Sequence, residues 1–267
     1  MDAQRLSQVR CVLLDMDGTF YLSERLLPGA AEFFARLRRC SEPFVFLTNN
    51  TSQNRHHYIS KLERLGIQIS EAEIFTAAEA STLWLEQRTP GCKVFLAGTP
   101  ALQEVFVEHG FRLVQEDPDW VVLGFDTTLT YARLWKLCDH VRGGRPYLAT
   151  HPDFNCPTDG GFMPDIGAMI AFVEASTGRR PDVVIGKPYA PIVEALAGKL
   201  GVPAEAMCMV GDRLYTDIAL GAHGVMTVLV LSGETSREDL QASPYVPDLV
   251  VEDLAEFDGL WRQARDE

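Results

Sequence analysis

The sequence predicts an α/β protein: a three-layer parallel-sheet core with helices on both faces, and a second α/β domain inserted into it. Three observations predict this. Short apolar runs alternate with helical stretches along the chain, the pattern of a parallel sheet covered on both sides. Four of those runs end in acidic, hydroxyl, amide or basic groups, where open α/β sheets meet their ligands. The interval between the second and third of these runs exceeds a connection by roughly 100 residues and carries strands and helices of its own.

Taken in order, the first run is VRCVLLDMDGTFY, in which Val12, Leu13 and Leu14 read as a buried strand and Gly18 lets the backbone turn away. Asp15 and Asp17 follow the run. In extended chain, residues i and i+2 point to the same side, so the two carboxylates can share a proton or a cation. Helical spacing over 28–39 places Phe33, Phe34 and Leu37 on one side. The second run, FVFLTNNTS, ends at Thr48, Asn49 and Asn50, whose hydroxyl and amide groups suit phosphate oxygens. A helix over 53–65 is closed by Gly66.

The long interval then supplies strands in KVFLAG, WVVLGFD and PYLATH, and helices over 100–109, 131–142 and 166–177. The third run, VVIGKP, leads to Lys187, a point charge for an anion. The fourth, MCMVGDRLYTDI, ends at Gly211 and Asp212, with Asp217 five residues on. The C-terminal AEFDGLWRQARDE reads as an amphipathic helix packed on the core. Taken singly, these groups are ordinary turn and cap residues. Four such strand ends together are what metal-assisted phosphoryl transfer requires.

DMDGT, the Thr of LTNN, the Lys of GKP and GDRLYTD resemble, in order and spacing, the four motifs of the haloacid dehalogenase superfamily. TNN, HPDFNCPT and PDVVIGKP look more particularly like its NagD-type branch, which is similar to the p-nitrophenyl, phosphoglycolate and pyridoxal phosphate phosphatases. The resemblance runs from about residue 10 to about 251. It implies a Rossmann-like core formed by 1–78 and 181–267, with 79–180 as a large inserted cap that selects substrate. It implies Asp15 as nucleophile, giving an aspartyl-phosphate, and Asp17 as general acid and then base. Thr48, Asn49 and Lys187 would hold the phosphoryl oxygens, with Asn50 supporting them. Asp15, Asp17 through its carbonyl, and Asp212 would hold Mg²⁺. Asp217 would orient a metal water or Lys187, with direct ligation left open.

Within the superfamily, the ion-pumping ATPases carry Thr where this chain has Asp17, so water is the expected acceptor. The dehalogenase branch lacks the full acidic set, which disfavours haloacid cleavage. The expected activity is Mg²⁺-dependent hydrolysis of small phosphate monoesters, such as sugar phosphates, nucleoside monophosphates or p-nitrophenyl phosphate. The alternatives are a phosphotransferase or mutase using the same intermediate, and a non-catalytic protein that binds phosphorylated metabolites. In the cap, His151, Asp153 and Asn155, with the loop 158–164, are substrate-contact candidates. Phe125, Tyr131, Trp135 and Phe162 are read as packing residues first and ring-stacking residues second. His56 and His57 are adjacent on a helix and share no face, so they are not read as a metal pair.

Composition bounds the remaining classes. With 267 residues, the chain holds ample apolar content for a core. A net charge of −13, without basic runs, disfavours nucleic acid as a partner, and binding of a phosphate must rest on local positive groups. The N-terminus lacks a signal-peptide apolar region and no run reaches membrane-spanning length, so a cytoplasmic protein without a membrane partner is expected. Six cysteines without CxxC spacing read as reduced thiols. A homodimer or homotetramer is compatible with the resemblance.

Overall fold

A computed structural model describes residues 3–158 and 161–265. The chain divides into two compact units, one formed by Met1–Thr48, Ile59–Phe75 and Leu196–Glu267, the other by Asn49–Tyr58 and Thr76–Ala195.

The first unit is built on a six-stranded sheet ordered 249–251, 226–230, 207–211, 11–14, 44–48, 74–76. Strand Cys11–Leu14 is buried along its length and pairs in parallel with Met207–Gly211 on one side and Phe44–Thr48 on the other. The chain's first strand is therefore central, and the strand order reverses about it. That is the switch point at which ligand crevices open beyond the carboxyl ends. Helix Ala30–Arg39 covers the sheet with Ala30, Phe33, Phe34 and Leu37, the apolar stripe its spacing predicted. Phe20, Phe34, Phe44 and Phe46 meet edge to face beneath it. Arg36 is buried there too, with its guanidinium over the Trp261 ring at 4.5 Å and ion-paired to Asp258.

The second unit holds a five-stranded sheet ordered 183–184, 147–149, 120–123, 93–97, 112–113, with every neighbouring pair parallel. Helices Tyr131–Arg142 and Ile166–Thr177 have the predicted bounds, because each starts at a side-chain cap, Thr130 and Asp165. The second ends at Gly178, whose φ of 72° is the left-handed conformation of a helix stop. Their apolar residues join Phe95, Val121, Leu123, Phe125 and Tyr147 in one core.

Three expectations need correction. The segment read as a loop at 158–164 belongs to an antiparallel hairpin of Asn155–Thr158 and Gly161–Pro164, while Asp159 and Gly160 lie outside the described residues. The run before Lys187 forms only the short strand Val183–Val184, half-buried, at an edge of the second sheet. Of the four aromatics read as packing residues, only Phe125 is buried. Tyr131, Trp135 and Phe162 are exposed, and Tyr131 and Trp135 line a surface groove with Phe172. Among the described residues, no helix is long and apolar enough to cross a membrane.

Candidate active site

The carboxyl ends of the two central strands of the first unit place the acids. Leu14 sits opposite Val210, and the Asp15 amide continues the ladder by donating to the Val210 carbonyl at 3.0 Å. Asp15 and Asp212 therefore leave adjacent parallel strands side by side. Asp217 joins them, and one carboxylate oxygen from each of the three lies within 4.8 Å of the others. Direct ligation by Asp217, left open by the sequence, is compatible with this proximity.

The carboxylates of Asp212 and Asp217 occupy room that three glycines leave for them. A Cβ on Gly18 would meet Asp212 Oδ2 at 2.3 Å, one on Gly233 would meet it at 2.1 Å, and one on Gly211 would meet Asp217 Cγ at 2.3 Å. Gly18 also holds φ at 89°, which side chains rarely adopt. Asp212 accepts hydrogen bonds from Thr19 Oγ1 at 3.1 Å and from the Glu234 amide at 2.7 Å. Asp217 accepts from the Arg213 amide at 3.1 Å. Burial, with Asp217 beside it, pushes the Asp212 carboxyl up to about 6. Burial works against the Arg213 cation, yet Asp15 and Asp212 outweigh it and hold the guanidinium above its ordinary range.

Three hard oxygen donors converging on one point fit a divalent cation. No cysteine enters the cluster. All six cysteines are free thiols, and burial pushes Cys11 up to about 12, an inert core thiol.

Asp17 has different surroundings. Its side chain is half exposed, accepts from Tyr21 Oη at 3.3 Å, and lies 3.6 Å from Lys61 Nζ, which itself sits 3.9 Å from the Tyr21 ring centroid. Its carboxylate faces solvent, whereas that of Asp212 is buried. Lys61 and Arg213 are site cations that sequence reasoning missed. The letters of GDRLYTD already contained Arg213, whereas Lys61 reaches Asp17 only through the fold. Thr48 is buried at the end of its strand.

Within the second unit, Lys187 is buried, and its amide donates to Asn49 Oδ1 at 2.8 Å while its carbonyl accepts from Asn49 Nδ2 at 2.9 Å. Asn49 Nδ2 also donates to Asp153 Oδ1 at 3.1 Å. Asn50 Oδ1 accepts from the Ser52 amide at 2.9 Å and its hydroxyl at 2.7 Å, which shapes the turn. His151 is fully buried, with Nε2 at 3.0 Å from Asp165 Oδ1 and Nδ1 at 3.2 Å from Thr150 Oγ1. Of the three cap candidates, only Asn155 is exposed.

Comparison with known proteins identifies the family. A family model described as haloacid dehalogenase-like hydrolase matches residues 12–112, and a second HAD-hydrolase-like model matches 184–257. The chain is 32% identical to the 5'-nucleotidase YutF of Bacillus subtilis, over 92% of this chain and 96% of the relative. It is 32% identical to the ribonucleotide monophosphatase NagD of Escherichia coli, over 94% and 98%. The crystal structure of a 4-nitrophenylphosphatase from Thermotoga maritima superposes with a TM-score of 0.92 at 46% identity, covering 96% of this chain and 98% of that one. The chain belongs to the haloacid dehalogenase-like hydrolases. Within them it is a phosphatase of the NagD type.

Proposed function

We propose that the protein hydrolyses small phosphate monoesters, nucleoside monophosphates and sugar phosphates among them, through an aspartyl-phosphate on Asp15, with Mg²⁺ as cofactor. The observation that carries the proposal is the Asp15, Asp212 and Asp217 cluster at the switch point, with the solvent-touched Asp17 two residues away. The substrate range is supported by relatives named 5'-nucleotidase, ribonucleotide monophosphatase and acid sugar phosphatase.

Asp15 attacks phosphorus with a carboxylate oxygen while the ester P–O bond breaks. The Asp17 carboxyl gives its proton to the departing alcohol oxygen. As a carboxylate it then takes a proton from water, whose oxygen attacks phosphorus. The bond to Asp15 breaks, and phosphate leaves with the carboxylate restored. Thr48 and Lys187 hold the phosphoryl oxygens, Lys187 as a local positive group on an acidic chain. Asp15, Asp212 and the Asp17 carbonyl, with Asp217 beside them, would hold a divalent cation, which would offset the negative charge of carboxylates and phosphate. Residues 79–180 act as the cap whose surface selects the leaving group.

The test is phosphate release from p-nitrophenyl phosphate and from a panel of nucleoside and sugar phosphates. Turnover with Mg²⁺ that is lost on EDTA treatment and in Asp15→Asn is expected. Turnover that survives Asp15→Asn would exclude the intermediate. Phosphate release that requires an added acceptor sugar would replace hydrolysis by transfer.

A further inference from the structure

We infer that Asn49 and Asp153 are positioning residues: the Asp153 carboxylate orients the Asn49 carboxamide, and that carboxamide clamps the main chain of Lys187 on both sides. The inference rests on the proposed role of Lys187 and deepens it.

A lysine is a point charge on a flexible four-carbon stem, so its precision must come from burial and from the backbone that carries it. Lys187 is 2% exposed. Its N–H and C=O are both bonded by one side chain, with Asn49 Oδ1 as acceptor at 2.8 Å and Nδ2 as donor at 2.9 Å. The carboxamide thus pairs with Lys187 as a neighbouring strand would. A flipped amide would set donor against the Lys187 N–H and oxygen against the Asp153 carboxylate, so both partners enforce one orientation.

The count of donors takes the carboxamide, though not the backbone N–H, out of the role first expected of this residue. A carboxamide has two N–H groups, and Asn49 gives one to the Lys187 carbonyl and one to Asp153 Oδ1 at 3.1 Å. Its side chain has no N–H left for a phosphoryl oxygen.

The clamp is built into its surroundings. Ile185 and Gly186 extend the sheet ladder, donating to the carbonyls of Ala149 at 3.1 Å and Thr150 at 2.8 Å. A Cβ on Gly186 would meet Asn49 Oδ1 at 2.5 Å and His151 Cβ at 2.8 Å, so the glycine lets the carboxamide reach the next residue. Asp153 is 5% exposed, and its carbonyl is fixed by the Gly167 amide at 2.7 Å. The HPD segment therefore serves the lysine loop, which removes Asp153 from the substrate contacts.

A double-mutant cycle on the full chain, assayed with p-nitrophenyl phosphate, tests this. Asn49→Ala and Asp153→Ala should each lower kcat about tenfold with KM changed less than about threefold. In a Lys187→Met background the same substitutions should add less than about twofold, since they act through the lysine. Asp153→Asn, which keeps an acceptor oxygen, should restore most of kcat. Full penalties in the Lys187→Met background would overturn the inference and return Asn49 to direct phosphate contact. Wild-type turnover in Lys187→Met alone would instead sink the role of the lysine, and this inference with it. If Lys187→Met falls below detection, amide hydrogen exchange decides: the Lys187 N–H should exchange at least about tenfold faster in Asn49→Ala. Unchanged protection there overturns the clamp, and Asn49→Asp replaces the alanine variant should that one fail to fold.

Discussion

Asp15 and Asp17 are two residues apart yet chemically unlike, because one enters a carboxylate cluster while the other keeps half its side chain in solvent beside Tyr21 and Lys61. A proton donor matters most to a poor leaving group. Asp17→Asn should therefore cut kcat on an alkyl phosphate by about a hundredfold or more, and on p-nitrophenyl phosphate by clearly less. Equal losses on the two esters would remove Asp17 from proton transfer. Gly233 allows a second test, since a methyl there would overlap Asp212 Oδ2 at 2.1 Å. Gly233→Ala should weaken Mg²⁺ binding by at least about tenfold in calorimetric titration, and unchanged affinity would remove Asp212 from the metal site. The acids were legible from sequence because their arrangement is local to each strand end. Asn49 was legible as a polar strand-end residue, but not its partners, since Asp153 and Lys187 lie over 100 residues on.

At the scale of elements, helix Ala30–Arg39 combines an apolar stripe with a buried cation. The Arg36 and Asp258 side chains are 4% and 19% exposed. Asp258→Ala removes the carboxylate paired with that buried charge and should cost about 3 kcal/mol in urea denaturation. Glu252→Ala, which breaks the exposed pair with Arg237, should cost less than about 1 kcal/mol. Equal costs would show that burial does not govern these pairs. Helices with caps at both ends, such as Ile166–Thr177, could be read to the residue because Asp165 and Gly178 are signals in the letters themselves. The hairpin 155–164 could not, because Pro and Gly suggested loop and no letter records its antiparallel pairing. Nor could the exposure of Tyr131 and Trp135. They stand four apart on one helix, and helical spacing shows that they share a face without showing what covers it.

For the molecule as a whole, the acid cluster links stability to pH and to metal. Burial and Asp217 raise the Asp212 carboxyl to about 6, so between its ordinary 3.8 and that value the folded chain binds more protons than the unfolded one. Stability of the metal-free protein should therefore fall as pH rises through this window. Mg²⁺ favours the ionised form, so the melting shift it produces should grow with pH over the same range. Melting curves in EDTA and in Mg²⁺ at stepped pH measure both, and a shift independent of pH would remove Asp212 from the binding group. The parallel-sheet class was legible in the alternation of runs, but strand order was not, since it depends on which distant segments meet. That order affects how the chain is made. The central strand pairs Cys11 with Met207, so on a ribosome it must wait for almost the entire polypeptide before its second neighbour exists. The sheet spanning 93–184 is synthesised completely in the meantime. Nascent protein should pass through a stage in which the sheet of the second unit is complete while the nucleophile's own strand still has one open edge.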